Sequence, residues 1–413
     1  MNILYITHFF PPELNGGARR VSDLASEWVK QGNGVTVATG FPTHPTGIVP
    51  SRYKHRWLAE EIHDGVRVLR AKKFNVPNKG FLPRILNHVS SALSAFLVGI
   101  FHNDAYDVVI ATSPPLFMGF SGVLLKFFKN VPLVFEVRDL WPQQAIDLGI
   151  IQNSLLIWLS RKLEHFFYSS ADHIVVVTEA SRRTLIGQKV PSSKISVIRN
   201  GVNIDAFRSP SVQNMKIEFS IKDKILVTYG GTFGLSQGLH SILEAAKRFS
   251  DAGIDRFHFL FAGDGVERDS MISYVRTNNL HNVIILPTQP FERMESFYRS
   301  SDVHIVPLRK LPLFSHTIPS KIYEIMACGG AMVCMVDGEC RSIIEEASAG
   351  VFVEPENVDQ LCSCLLKLDR DTITAFKSLG ENGRVWVEKN CDRKKQANLY
   401  SKLLKGLVSR RYD

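Results

Sequence analysis

The sequence predicts an α/β protein of two doubly wound domains facing each other across a cleft. Three observations carry that expectation. The chain has 413 residues, too many for one ordinary domain and enough for two of about 200 residues each. Short, continuous apolar runs alternate with helix-length amphipathic segments, as in parallel sheets covered on both faces. This alternation occurs twice, with a break at the turn Asn200-Gly201. The expected domains are residues 1–203 and 204–391, with a basic, helix-like segment at about 392–413 packing back on the first.

The first array opens with a strand at Ile3–Ile6, the loop HFFPPELNGGARR and an amphipathic helix from about Val21 to Gln31. Gly16-Gly17 just before a helix is an arrangement that cradles phosphate, because a side chain there would block close backbone approach; it is equally an ordinary turn. The order does not fit G-x-G-x-x-G, which argues against a nicotinamide or flavin cofactor. Strands follow at Val35–Thr39 and Val66–Arg70, separated by a Pro-rich, His-bearing loop. Residues 81–101 form an apolar helix with Arg84 at its start and Lys72, Lys73 and Lys79 upstream. It reads either as an interfacial membrane helix or as a helix packed on the sheet. Tyr106–Ala111 and Val131–Val137 are buried parallel strands, and the second ends in Arg138 and Asp139. Ligand groups cluster at such carboxyl ends, so the pair is a candidate for the reaction cleft, or else a local ion pair orienting the loop. A helix at Leu155–Tyr168 and a strand–helix pair beginning at His173 complete the array.

The second array begins with the strand Lys224–Tyr229 and the glycine-rich loop GGTFGLSQGL. A helix at His240–Asp251, strands at Phe257–Ala262 and Asn282–Leu286, and a helix at Phe291–Ser300 follow. Val303–Pro307 is the strand that feeds VPLRKLPLFSHTIPSKIYEIMACGGAMV. Pro319 and Ser320 are helix-start residues. Lys321 then falls in a first turn, where the helix dipole disfavours a cation. Its placement points to an anion that takes both the dipole and the ammonium. Glu324 lies one turn on, suited to a vicinal diol. An ordinary surface Lys and Glu is the alternative.

Composition narrows the function classes. Hydrophobic residues make up 45% and charged residues 22%, as in soluble globular proteins. The formal charge of +9 is uneven: residues 1–205 hold 22 Lys and Arg against 15 Asp and Glu. A basic first half suits an anionic membrane surface or a phosphorylated substrate. No aromatic-interleaved basic run marks a nucleic-acid binder. The six cysteines form no C-x-x-C pair, so free thiols in a reduced compartment are expected. The first residues lack the pattern of a signal peptide, and no uncharged apolar run reaches about 20 residues. The expected location is cytoplasmic, with peripheral contact to the inner face of the plasma membrane.

Nine segments, in order, carry a resemblance: PPELNGGARRVSDLA, YDVVIATSPP, VPLVFEVRDLWP, ADHIVVVTEASR, VIRNGVNIDAF, YGGTFGLSQGLHSILEAA, FAGDG, SSDVHIVPL and PSKIYEIMACGGAMV. The chain resembles glycosyltransferase family 4, a retaining group with the GT-B fold. The RDLWP and PSKIYE versions look like the branch that builds capsule and O-antigen repeat units, including N-acetyl-L-fucosamine transferases. The resemblance implies a nucleotide-sugar donor in the C-terminal domain and an acceptor in the N-terminal one. Glu324 matches the second Glu of the family's E-x7-E motif, which binds the donor ribose. Gly17 approaches the diphosphate, and loops around Gly265 and Leu286–Thr288 frame the base.

Departures from the family shape the remaining expectations. His316 stands where the first Glu of that motif is usual, and would meet the donor sugar. The loop after the first strand of the second domain carries Thr232 and Gln237 instead of a basic pair. Phosphate charge must then come from Arg309 and Lys321, helped by Ser320 and the amides of Gly17, Gly231 and Thr232. Arg138 replaces the His of the family's H-D pair and, with Asp139, is a further catalytic candidate. The expected reaction is transfer from a UDP-sugar to a lipid-linked saccharide acceptor, without cofactor or metal. Asp369-Arg370-Asp371 spells D-x-D but sits in a polar linker, not after a buried strand. The alternatives are another enzyme on the same fold, such as a sugar-nucleotide epimerase or a glycogen-type transferase, and a catalytically silent nucleotide-sugar-binding subunit.

Overall fold

Eight strands form the first sheet of this computed structural model, which describes residues 1–13, 15–43, 47–74, 81–102, 104–208 and 213–410. In chain order they are β1 (Asn2–Ile6), β2 (Gly34–Gly40), β3 (Leu58–His63), β4 (Val66–Ala71), β5 (Val108–Ser113), β6 (Leu133–Val137), β7 (His173–Val176) and β8 (Ile195–Val197). Interleaved with them are α1 (Gly16–Lys30), α2 (Phe81–Phe101), α3 (Met118–Lys129), α4 (Gln143–Asp147), α5 (Ser154–Ser170) and α6 (Glu179–Gly187). The strand order is β3-β4-β2-β1-β5-β6-β7-β8. All neighbours are parallel except β3 and β4. Those two form a hairpin over Asp64-Gly65, with φ of 49° and 78°, the turn that requires left-handed backbone at both positions. Neither β3 nor α3 was anticipated. The charges Glu60 and Glu61 disguise β3, and α3 has no acidic face.

A buried ion pair fixes the middle of this sheet. Arg20 on α1 donates from Nε and Nη2 to Glu136 on β6 at 3.1 and 2.9 Å. The Tyr5 hydroxyl donates to the other carboxylate oxygen at 2.6 Å. The remaining guanidinium hydrogens reach the carbonyls of Ile198 and Arg199, tying α1 to the chain that leaves β8.

The second sheet has six parallel strands: β9 (Ile225–Gly230), β10 (Phe257–Ala262), β11 (Val283–Leu286), β12 (Val303–Pro307), β13 (Met332–Met335) and β14 (Gly350–Phe352). Its order is β11-β10-β9-β12-β13-β14. The helices are α7 (Met215–Glu218), α8 (His240–Asp251), α9 (Arg268–Thr277), α10 (Phe291–Ser300), α11 (Lys321–Ala327), α12 (Glu339–Ala347), α13 (Val358–Leu366) and α14 (Thr372–Asn390). Each sheet has its own core. The chain divides into Met1–Asn200 with Arg393–Asp413, and Gly201–Asp392. The last helix, α15 (Arg393–Ser409), belongs to the first unit. The Trp28 indole of α1 donates to the Ala397 carbonyl at 3.0 Å, and its ring meets Tyr400 edge-on.

Candidate active site

The second sheet reverses its winding between β9 and β12. In open α/β sheets the crevice outside the carboxyl ends at such a switch is where ligands bind. Two segments meet there: the glycine-rich loop after β9 and the 308–320 segment after β12.

The loop after β9 is zipped to the Gly263–Gly265 turn after β10. Gly231 donates to the Ala262 carbonyl at 2.9 Å, and Phe233 to the Asp264 carbonyl at 2.8 Å. A Cβ on Gly263 would fall 1.8 Å from the Gly231 oxygen, and one on Gly265 would fall 2.3 Å from the Phe233 oxygen. These are backbone contacts that cannot swing away, so both positions exclude side chains. Leu286, at the end of β11, uses its carbonyl to accept from the Gly263 amide at 3.2 Å. Gly231, Thr232, Gly265 and Leu286 therefore come together around one double turn.

Lys321 opens α11 beside that turn. A Cβ on Gly231 would stand 2.8 Å from its Nζ. The ammonium lies 3.7 Å from the centre of the Tyr229 ring, and Tyr229 is held by its hydroxyl donating to the Thr232 carbonyl at 2.7 Å. Among the described residues Lys321 makes no ion pair. Lys321 is partly buried; the loss of hydration pushes its pKa down to about 7, with Glu324 offsetting part of the effect. An aromatic face attracts a cation but cannot replace a full anion. Glu324, one turn on, accepts from the Tyr298 hydroxyl at 2.8 Å.

The other candidates of this unit, Arg309, His316 and Ser320, lie on the segment that follows β12. Arg309 follows β12; its amide donates to the Ser236 carbonyl at 2.9 Å, and its Cγ would lie 3.3 Å from a Cβ on Gly238. Its guanidinium is exposed and stands 3.7 Å from Glu356. Arg309 is therefore an exposed, partly paired cation, unlike Lys321. Ser320 does not cap α11 with its hydroxyl, contrary to expectation; it is itself helical, and its carbonyl accepts from Tyr323. His316 ends a short 3-10 turn, with Nδ1 3.3 Å from the Ser315 hydroxyl.

In the first unit, Gly17 lies in the first turn of α1, which Asn15 caps by accepting from the Ala18 amide at 2.8 Å. The space where a Gly17 side chain would go is taken by Arg138: a Cβ would fall 1.9 Å from its Nη1. The close approach read from the sequence is thus to a guanidinium of the same unit. Arg138 donates to the Pro114 carbonyl at 3.1 Å, and its buried Nε has no hydrogen-bond partner among the described residues. The alternative reading of Arg138 and Asp139 as a local ion pair is not met among the described residues, where Arg138 turns to the Pro114 carbonyl instead. Burial raises the Asp139 carboxyl above its ordinary range despite the nearby guanidinium.

Asp369 accepts from the amides of Asp371 and Thr372 at 2.9 Å each. The D-x-D sequence is thus an N-terminal turn for α14. The sequence reading missed Tyr229 and Tyr298, which set Lys321 and Glu324; the available signal was an aromatic residue at the penultimate position of β9.

Comparison with known families agrees with this architecture. A model described as "Glycosyl transferase 4-like domain" matches residues 15–201, and one described as "Glycosyl transferases group 1" matches residues 212–386. The chain is a family 4-like glycosyltransferase of the GT-B type. This glycosyltransferase is 23% identical over 372 residues to WcaI of Escherichia coli, a chain named for colanic acid biosynthesis; the match spans 87% of this chain and 90% of WcaI. It is 22% identical over 368 residues to a GDP-mannose-dependent alpha-mannosyltransferase of Mycolicibacterium smegmatis, spanning 87% and 86% of the two chains. Among solved structures, HepE of Anabaena in complex with UDP and glucose superposes with a TM-score of 0.71 at 16% identity, covering 98% of this chain and 99% of HepE. The enzyme is thus a transferase on two Rossmann-like domains.

Proposed function

We propose that this glycosyltransferase moves a sugar, with retention at the anomeric carbon, from a UDP-sugar to a lipid-linked saccharide acceptor in bacterial surface polysaccharide synthesis. The favoured sugar is N-acetyl-L-fucosamine or a related amino or deoxy sugar. The observation that carries the reading is Lys321, a partly buried ammonium packed against Tyr229 and Gly231 with no carboxylate in ion-pair contact among the described residues. A diphosphate supplies the missing counter-charge. As the bond from the anomeric carbon to the phosphate oxygen breaks, negative charge grows on the diphosphate. Lys321 and the amide of Thr232 are preorganised to receive it, whereas the Gly231 amide, a candidate on sequence, is already given to the Ala262 carbonyl. The acceptor oxygen forms the new bond on the same face, and its proton passes to the departing phosphate. Glu324 is suited to the ribose hydroxyls, Arg309 to the outer phosphate, and His316 to the donor sugar. Arg138 and Asp139 are the acceptor-side candidates.

UDP is favoured by the structural likeness to HepE with UDP and glucose. GDP is the rival, favoured by the mannosyltransferase relative. The surface-polysaccharide setting follows the name of WcaI. A thermal-shift screen of UDP-, GDP- and dTDP-sugars tests the donor, because a ligand bound only to the native state raises its melting point. A shift with UDP-sugars and transfer to a lipid-linked saccharide that persists in a chelator are expected. A shift with GDP-sugars alone overturns the UDP assignment. Conversion of the donor without acceptor indicates an epimerase, and binding without turnover a silent subunit.

A further inference from the structure

Helix α2 is built inside out. Its small residues Ser91, Ala92 and Ala95 face the sheet, whereas the larger Leu86, Leu93 and Leu97 face solvent. On its neighbour α3, Gly119 and Gly122 lie inward against Phe167 and Leu133, while Phe127 and Phe128 are 78% and 58% exposed. On α5, Trp158 and Leu159 stand outward above buried Phe167 and Tyr168. Ring contacts join these helices into one surface: Phe96 of α2 meets Phe128 of α3, and Phe120 of α3 meets Phe167 of α5. Folding alone does not favour so much exposed apolar surface, and contiguous patches of this kind mark contact sites.

The charges on the three helices are one-sided. They carry Arg84, Lys126, Lys129, Arg161 and Lys162 against one acid, Glu164. That acid is buried, accepts from Tyr168 at 2.8 Å, and is pushed up by burial to about 7. Lys126 is neutralised by Asp172, but Arg84, Arg161 and Lys162 remain exposed around the apolar centre. Of the lysines upstream of α2, Lys72 lies over the Trp57 ring and Lys73 is buried; Lys79 falls outside the described residues.

We infer that α2, α3 and α5 together form a docking face for an anionic phospholipid bilayer, with Trp158, Phe127 and Phe128 entering the headgroup–acyl boundary and the basic side chains reaching lipid phosphates. A second copy of the chain fits less well, because a two-fold contact would oppose the same basic groups. The helix α2 lies on the membrane and does not span it, since its inner face belongs to the core of the first sheet. That inner face also touches the loop after β1, where Ser91 Oγ lies 3.0 Å from His8 Nδ1. One helix thus separates lipid from the carboxyl end of β1. This extends the proposed use of a lipid-linked acceptor and rests on that reading only for its purpose.

The test is flotation of the full chain with vesicles of phosphatidylethanolamine and phosphatidylglycerol, compared with phosphatidylcholine alone. The double variant Phe127→Glu, Trp158→Glu and the charge variant Arg161→Glu, Lys162→Glu are run beside the wild type. Wild-type binding to the anionic vesicles, at least tenfold weaker for each variant at unchanged melting temperature, is expected. A blue shift of tryptophan emission on binding, absent from Trp158→Phe, is expected too. Wild type that stays with the soluble fraction, variants that float normally, or a lipid-independent dimer dissolved by the same substitutions would overturn the inference. Transfer to a short-chain, water-soluble acceptor separates the two proposals: activity without flotation removes the docking face alone, and flotation without transfer removes only the proposed reaction.

Discussion

Donor binding by this enzyme should take up a proton. In the free protein, partial burial pushes the Lys321 ammonium down to about 7. A bound diphosphate supplies the opposite charge and returns the group toward the ordinary lysine range near 10.4. Linkage then predicts uptake of about 0.9 proton per donor bound at pH 8, and affinity that weakens about thirtyfold from pH 6 to pH 8.5. Calorimetry in two buffers of different ionisation enthalpy reads the proton directly. A UDP-sugar suits the measurement, since its phosphates are already fully ionised in this range. Lys321→Arg should bind with little pH dependence, because arginine keeps its charge. Lys321→Ala should lower turnover by about 10²–10³-fold, the usual cost of removing one donor to developing charge. The free protein shows the opposite side of the same linkage. The folded value lies below the unfolded one, so the unfolded chain binds the extra proton between about pH 7 and pH 10, and stability rises with pH through that window. Binding that neither takes up a proton at pH 8 nor changes with pH, in a wild type indistinguishable from Lys321→Arg, would refute the placement of the diphosphate at Lys321.

Other predictions concern the frame around that lysine. Gly263→Ala should destabilise the protein by about 1–3 kcal/mol and abolish the donor-induced thermal shift, because its Cβ meets the Gly231 carbonyl. Tyr298→Phe removes one hydrogen bond to Glu324; it should raise donor KM severalfold while kcat changes little, as expected for a contact made equally in ground and transition states. In the first unit, Arg20→Met leaves Glu136 buried without its cation and should cost about 3–5 kcal/mol in denaturant unfolding.

Most parallel strands of both sheets were legible because strands buried on both faces leave continuous apolar runs; β13 and β14, only four and three residues long, were not. The hairpin β3–β4 was not read, although Asp64-Gly65 is a strong local turn signal. Edge strand β3 buries little, so its sequence need not alternate clearly, and Glu60 and Glu61 pair instead with Arg67 and Arg70. Helix α3 escaped for a related reason: its outer face is as apolar as its inner one, which erases the helical period. Lys321 could be found because a cation at a helix start violates a local preference. Its environment could not, since Tyr229 lies far upstream in sequence. Gly17 shows the limit most sharply. The need for a missing side chain was legible, but the group that fills the space, Arg138, comes from a different strand end.

A partly desolvated ammonium and an exposed aromatic face have the same physical status: each costs free energy in the isolated protein in water. Neither is needed by the cores, which close without them. Replacing Lys321 by a neutral residue would relieve the first cost, and polar groups on α3 and α5 would relieve the second. The chain therefore carries two destabilising features that folding does not explain, and each is relieved by a specific surrounding, a diphosphate for one and a lipid boundary for the other. A cation must already be out of water before the leaving group departs if it is to stabilise that charge without reorganisation. The same reasoning applies to the helices, whose apolar side chains are useful at a lipid surface only if the fold presents them outward in advance. Strain of this kind is retained where an interaction made later repays it, which is why both features point beyond the chain itself.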